Sequence, residues 1–400
     1  MSTVLAMRFN QHEAILIADE STWHLGPTFG YRRTNFGDHL ASLIDPEESK
    51  KSGLSAVYAG TGFPSFHHEV ARRARAALAH ASGANGAPER WDNRGLARVV
   101  HEAFVATHER MIDDKLRFNY GFGRDALNSR SYVVDGRKLE VGQDGLIDSA
   151  RSIAAGSARG NAYVRIFTNS GFLVTHDGVR GIQGWHIDAK GCHLGFATPI
   201  SVLGEGDEVS THLVARFVQR RDLVQRRRGF SLRDGLYIAM SIATELRSTV
   251  GKIGGYFQIS FVDGEKGTRE LVSDAAHLAT EVMRAHLWGF LQRKDAEELI
   301  AALVLDGAEA AALDKELFAR ATEPQKLLSY LIGFKPTHAP AALEVDPPTA
   351  VETPRREAKP PVNLANAAAA AQATPESRER TRPKSAARGN VAVREGGDRK

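Results

Sequence analysis

Val4-Leu5-Ala6-Met7-Arg8-Phe9 and Ala14-Ile15-Leu16-Ile17-Ala18 are two apolar runs separated by the polar stretch Asn10-Gln11-His12-Glu13. Each run is strand length, and the stretch between them is turn length, so the chain is expected to open on a β-hairpin. Both runs are apolar enough to be covered on two faces.

Working outward, Thr28–Asn35 reads as a third strand and Leu54–Ala59 as a fourth, apolar one. Gly60-Thr61-Gly62 then leads into a helix with Pro64 in its first turn and Val70, Ala74, Ala77 and Leu78 on one face. A second amphipathic helix is expected over about Asn93–Leu116. Residues 130–203 alternate short runs with glycines. Strands are expected at Ser131–Val134, Leu139–Val141, Tyr163–Thr168, Phe172–His176, Trp185–Ile187 and Ile200–Leu203. Helices follow at about Glu208–Gln225 and Leu232–Ser248, the latter with Ser231 as N-cap and Asp234 three residues on. Gly254-Gly255 leads into a strand at Tyr256–Val262, and helices fill 275–333. Strands, two helices, strands, two helices, strand is the order of an α+β protein. Two packed antiparallel sheets with a helix pair on each outer face, a four-layer αββα sandwich, satisfy it best. A doubly wound parallel sheet is disfavoured by the lack of regular β-α-β alternation.

Composition narrows the function classes. No run approaches the 18 or so apolar residues of a membrane-spanning helix, so no membrane partner is expected. Met1-Ser2-Thr3 lacks the basic start of a secretory signal, and Cys192 is the only cysteine, so the expected location is cytoplasmic. The chain carries 52 basic and 48 acidic residues. From Lys335 onward there are 12 basic and 8 acidic, so the whole surplus of 4 lies in the last 66 residues. The remainder is balanced, which argues against a nucleic-acid-binding core. Residues 335–400 also hold 9 of the 15 prolines and no aromatic residue, and read as a disordered tail.

Four segments in order resemble proteasome β-type subunits and the HslV-type bacterial peptidase. Ser2-Thr3-Val4-Leu5-Ala6-Met7-Arg8 with Leu16-Ile17-Ala18-Asp19 is similar to their opening hairpin. Tyr58-Ala59-Gly60-Thr61-Gly62 resembles their Ala-Gly-Gly segment, and Val202-Leu203-Gly204-Glu205-Gly206 their Ile-Gly-Ser-Gly. Gly254-Gly255-Tyr256-Phe257-Gln258-Ile259 resembles the Gly-Gly and strand after their fourth helix. The resemblance implies the αββα fold of N-terminal-nucleophile (Ntn) hydrolases over residues 1–270, with an insertion at about 125–165. A C-terminal helical extension at 271–334 and the tail at 335–400 complete the expected organisation.

It also implies a site. After loss of Met1, Ser2 would be a nucleophile whose own α-amine, titrating near 8, serves as general base. Asp19, one residue further from Ser2 than in the family, would orient a cation beside it. No lysine precedes Lys50, so Arg32 or Arg33 would take the family lysine's place, with Arg33 preferred. Arginine keeps the charge but cannot shuttle a proton. The Gly60 N–H would bind the oxyanion. Glu205, Val250 and Ile253 stand where many of these proteins have Ser, Asp and Ser.

Two readings follow. One is a threonine/serine-type peptidase acting on peptide or protein substrates, in a homo-oligomeric ring or spiral, with an ATP-dependent unfoldase as partner. The other is a catalytically degenerate homologue acting in assembly or binding. No cofactor or metal is expected, because His67, His68, His101 and His108 form no HExxH or HxxEH motif and read as residues of solvated helix faces.

Overall fold

The computed structural model describes residues 3–20, 22–25, 31–34, 39–83, 91–134, 136–140, 148, 150–151, 169–196, 198–204, 207–219, 229–250, 253, 255–271 and 273–331. They fall within the first of two compact units, Met1–Leu343; the second, Glu344–Lys400, lies outside them, as do the expected tail and the strand at Tyr163–Thr168.

The elements in chain order are β1 (Thr3–Arg8), β2 (Glu13–Asp19), β3 (Thr22–Leu25), β4 (Tyr31–Thr34), β5 (Leu40–Ser42), α1 (Pro46–Ser52), β6 (Ser55–Thr61), α2 (Pro64–Gly83), α3 (Asn93–Tyr120) and α4 (Arg124–Ser129). Then come β7 (Ser131–Val134), β8 (Arg137–Glu140), β9 (Ser170–His176), β10 (Ile182–Asp188), β11 (Gly191–Leu194) and β12 (Ile200–Gly204). The last part holds α5 (Asp207–Val214), α6 (Leu232–Thr249), β13 (Phe257–Asp263), β14 (Gly267–Glu270), α7 (Ser273–Leu287), α8 (Arg293–Ala301), α9 (Ala310–Arg320) and α10 (Pro324–Tyr330). Short π-helical turns follow α5 and α8.

Two five-stranded antiparallel sheets form the centre, ordered β12-β1-β2-β13-β14 and β11-β10-β9-β6-β5. The opening hairpin is central in the first, with Val4 opposite Ala18 and Arg8 opposite Ala14. Strand alternation sorts its side chains into two cores. Val4, Ala6, Ala14, Leu16 and Ala18 pack between the sheets with Val57, Ala59, Phe172 and Val174. Leu5, Met7, Ile15 and Ile17 face the other way, into a core shared with α6 and α7. On the second sheet, Ala56, Tyr58 and Leu173 pack against Val70, Ala74, Val100 and Phe104 of α2 and α3. The molecule is therefore an αββα sandwich, with each layer held by one stripe of an alternating or helical pattern.

Caps set the helix ends where the sequence supplies them. Asp92 accepts from Gly95 N–H at the start of α3, and Ser231 from Asp234 N–H at the start of α6. Asp45 caps α1, with Pro46 in its first turn. The helices after residue 271 share the core of the first sheet: Leu278, Val282, Leu299, Leu317 and Leu327 lie in one cluster with Leu5 and Ile259. Among the described residues, no helix is long and apolar enough to cross a membrane.

Candidate functional site

β1 and β2 bring Thr3 beside Asp19. The Thr3 backbone N–H donates to Asp19 Oδ1 at 2.7 Å, and Asp19 is fully buried. Thr3 belongs by alternation with Leu5 and Met7, and Asp19 with Ile15 and Ile17, so both lie on the helix side of the sheet. The Thr3 hydroxyl is buried there with no hydrogen-bond partner among the described residues. Asp19, expected to orient a cation, is thus bonded to backbone at the head of the first strand. Ser2 lies outside the described residues.

Arg33 sits in β4, which pairs with β3 (Arg33 opposite Trp23) in a two-stranded ladder separate from both large sheets. Side-chain positions there lie outside what is described. Gly60 is at the end of β6 as expected, but its N–H donates to the His39 carbonyl at 2.9 Å. That donor extends the ladder to β5. The glycine is required for a different reason. A Cβ on Gly60 would lie 2.0 Å from His67 Nδ1 and 2.2 Å from its Cγ.

His67 corrects a further expectation: it is buried, not on a solvated face. The Tyr58 hydroxyl lies 2.7 Å from its Nδ1, and its Nε2 lies 2.9 Å from the Thr61 carbonyl. One tautomer satisfies both contacts: Tyr58 O–H donates to Nδ1, and Nε2–H donates to Thr61. Burial pushes the imidazole pKa down to about 3. A neutral histidine with both nitrogens used is a structural strut joining α2 to β6. The signal was in the sequence, since His67 follows apolar Phe66 and precedes Val70 by three residues on the buried face of α2.

The sign of its pH effect follows. The folded pKa lies below the unfolded value near 6.5, so His67 stabilises the fold above pH 6.5 and loses that contribution as pH falls toward 3. Across that window the slope is about 1.4 kcal/mol per pH unit from this one proton. Urea-unfolding free energies of the parent and His67→Phe, measured from pH 7 to 4, are expected to differ in slope by one proton. Parallel curves would remove His67 as the titrating group.

A half-buried polar cluster caps the end of the first sheet where Asp19 pairs with Phe257. Tyr256 N–H donates to Glu20 Oε2 at 3.3 Å, Glu20 Oε1 lies 3.1 Å from His277 Nε2, and the His277 ring stacks on Tyr256 at 4.0 Å. Within α7, Arg284 bonds to the fully buried Glu281 one turn before it, and its guanidinium covers Trp288 at 4.4 Å. Burial raises the Glu281 carboxyl pKa against the pull of Arg284 and Arg247. No group of three or more His, Cys, Asp or Glu residues able to hold a metal occurs among the described residues.

No protein-family model matches the chain, and no curated protein matches it. Among solved structures, it is similar to the Gly-1 mutant of Anbu from Hyphomicrobium sp. strain MC1. The two share 12% identity over 72% of this chain and 93% of that one, with a TM-score of 0.43.

Proposed function

We propose that this chain is a proteasome-like Ntn-hydrolase homologue whose N-terminal catalysis has lapsed, and that it acts as a homo-oligomeric assembly or binding protein. The αββα sandwich with its opening hairpin at the centre of one sheet supports the superfamily. The observation that carries the loss of catalysis is the Gly60 N–H, which donates to His39 instead of pointing at a site for an oxyanion. The sequence adds to it, since no lysine precedes Lys50 to stand beside Asp19. A hydrolase of this type without a donor for developing charge forfeits the largest single source of its rate.

The test is intact mass after exposure to a peptide epoxyketone or β-lactone, read beside native mass spectrometry of the assembly. No adduct forms on this reading, and Ser2→Ala or a blocked N-terminus leaves the oligomer unchanged. An adduct that disappears in Ser2→Ala would restore the peptidase reading.

A further inference from the structure

A serine and a histidine that the N-terminal chemistry never uses meet between the sheets. Ser201 Oγ of β12 is 3.0 Å from His186 Nε2 of β10. Ile200 and Val202 face the helix-side core, so alternation puts Ser201 on the inner face; Trp185 and Ile187 do the same for His186. β12 is the edge strand of its sheet, and both residues are only half-buried, so the pair opens at the rim of the sandwich.

Three features give this contact the form of a nucleophile and its base. The His186 ring is held edge-on against Phe172, centroids 4.9 Å apart and planes at 87°, which fixes Nε2 toward the hydroxyl. Gly195 leaves the space beside the ring clear, because a Cβ there would lie 2.8 Å from His186 Cδ2. The third feature comes from register. Arg8 N–H donates to the Pro199 carbonyl, so the next hydrogen-bonded pair along the ladder is Ala6 with Ser201. The N–H groups of Ile200 and Val202 then point away from β1, on the side of β12 where no strand among the described residues pairs. Val202 immediately follows Ser201, so its N–H is a donor next to the nucleophile for a developing oxyanion. Phe196 packs on Phe172 at 5.3 Å with the Arg8 guanidinium 5.7 Å above it, giving an apolar wall with one cation beside the pair.

We infer that Ser201 and His186 form an acyl-transfer site for small esters, independent of the N-terminus. Ser201 Oγ attacks the ester carbonyl carbon while its proton passes to His186 Nε2. The C–O bond to the alcohol then breaks, and the imidazolium returns the proton to the departing alkoxide. Water attacks the acyl-serine by the same route, releasing the acid and restoring the hydroxyl. Water is the only co-reactant.

The experiment exposes full-length Ser2→Ala protein to a fluorophosphonate probe and maps adducts by peptide mass spectrometry. One adduct on Ser201 is expected, absent in Ser201→Ala and slowed at least tenfold in His186→Gln, with circular dichroism confirming the fold. Using the Ser2→Ala background separates this result from the reading above, whose failure would show as labelling of Ser2 in the parent. A second measurement covers a misfolded alanine variant: alkylation of Ser201→Cys by iodoacetamide at pH 7. The lone native thiol, Cys192, is a slow background because burial pushes its pKa up to about 11. Alkylation at position 201 should slow tenfold when His186→Gln is added. No adduct, an adduct elsewhere, or rates indifferent to His186 would overturn the site.

Discussion

Gly60→Ala is expected to destabilise the fold by about 3 kcal/mol or more, among the larger effects of any single methyl group in the chain. The new Cβ would fall inside the His67 ring, within 2.3 Å of three of its atoms. The ring cannot step aside cheaply, because it is held by Tyr58 on one nitrogen and Thr61 on the other, with Phe66 edge-on at 5.1 Å. Leaving those buried partners unsatisfied adds about 1–3 kcal/mol for each group orphaned. Urea midpoints supply the check, and the double variant Gly60→Ala/His67→Ala locates the cause. If the clash is the mechanism, the double variant loses less than the sum of the two single ones. A Gly60→Ala protein within about 0.5 kcal/mol of the parent would show that the close approach costs nothing.

Arg284→Met should cost about 3–5 kcal/mol, because it removes the bonded partner of the buried Glu281 carboxylate and leaves Arg247 as the remaining cation acting on it. The loss depends on pH in a direction set by Glu281. Its folded pKa is raised, so its contribution is most favourable below the unfolded value near 4.5 and declines as pH rises through the folded value. Removing Arg284 takes away one of the two guanidinium groups that draw that pKa down and leaves Arg247, so the penalty is larger at pH 8 than at pH 5. Adding Glu281→Gln should return most of the lost stability at pH 8 and little at pH 5. Thermal melts of the single and double variants at the two pH values decide it. A penalty equal at both would assign the loss to packing over Trp288 instead.

The two residues share a feature that explains what could be read in advance. β1 and β2 were legible because apolar runs broken by a polar turn have few structural solutions, the helix from Asn93 because its apolar residues keep a helical period, and the start at Leu232 because Ser231 caps it. Glu281 and Arg284 are spaced like a surface ion pair, and His67 beside His68 like a solvated helix face. The burial of Glu281 and Arg284 depends on what α7 lies against, which no local pattern encodes, and that of His67 is marked only by its place with Val70 on the apolar face of α2. β3, β5 and β14 are only three or four residues long, and owe their strand form to a partner rather than to propensity. Gly60 was found for its place at a strand-to-helix turn, but the use of its N–H rests on a strand 20 residues upstream. Ser201 and His186 carried no signal, since their meeting requires two sheets to be stacked.

The strand order also sets a timetable for synthesis. The hairpin of residues 3–19 is synthesised well before its flanking strands, which are residues 200–204 and 257–263. At about 5–20 residues per second, both hairpin edges stay unpaired for on the order of 10–50 s. They carry Leu5, Met7, Ile15, Leu16 and Ile17 in the open throughout. A nascent chain with its most apolar strands waiting longest is a natural client for chaperones that shield sheet edges.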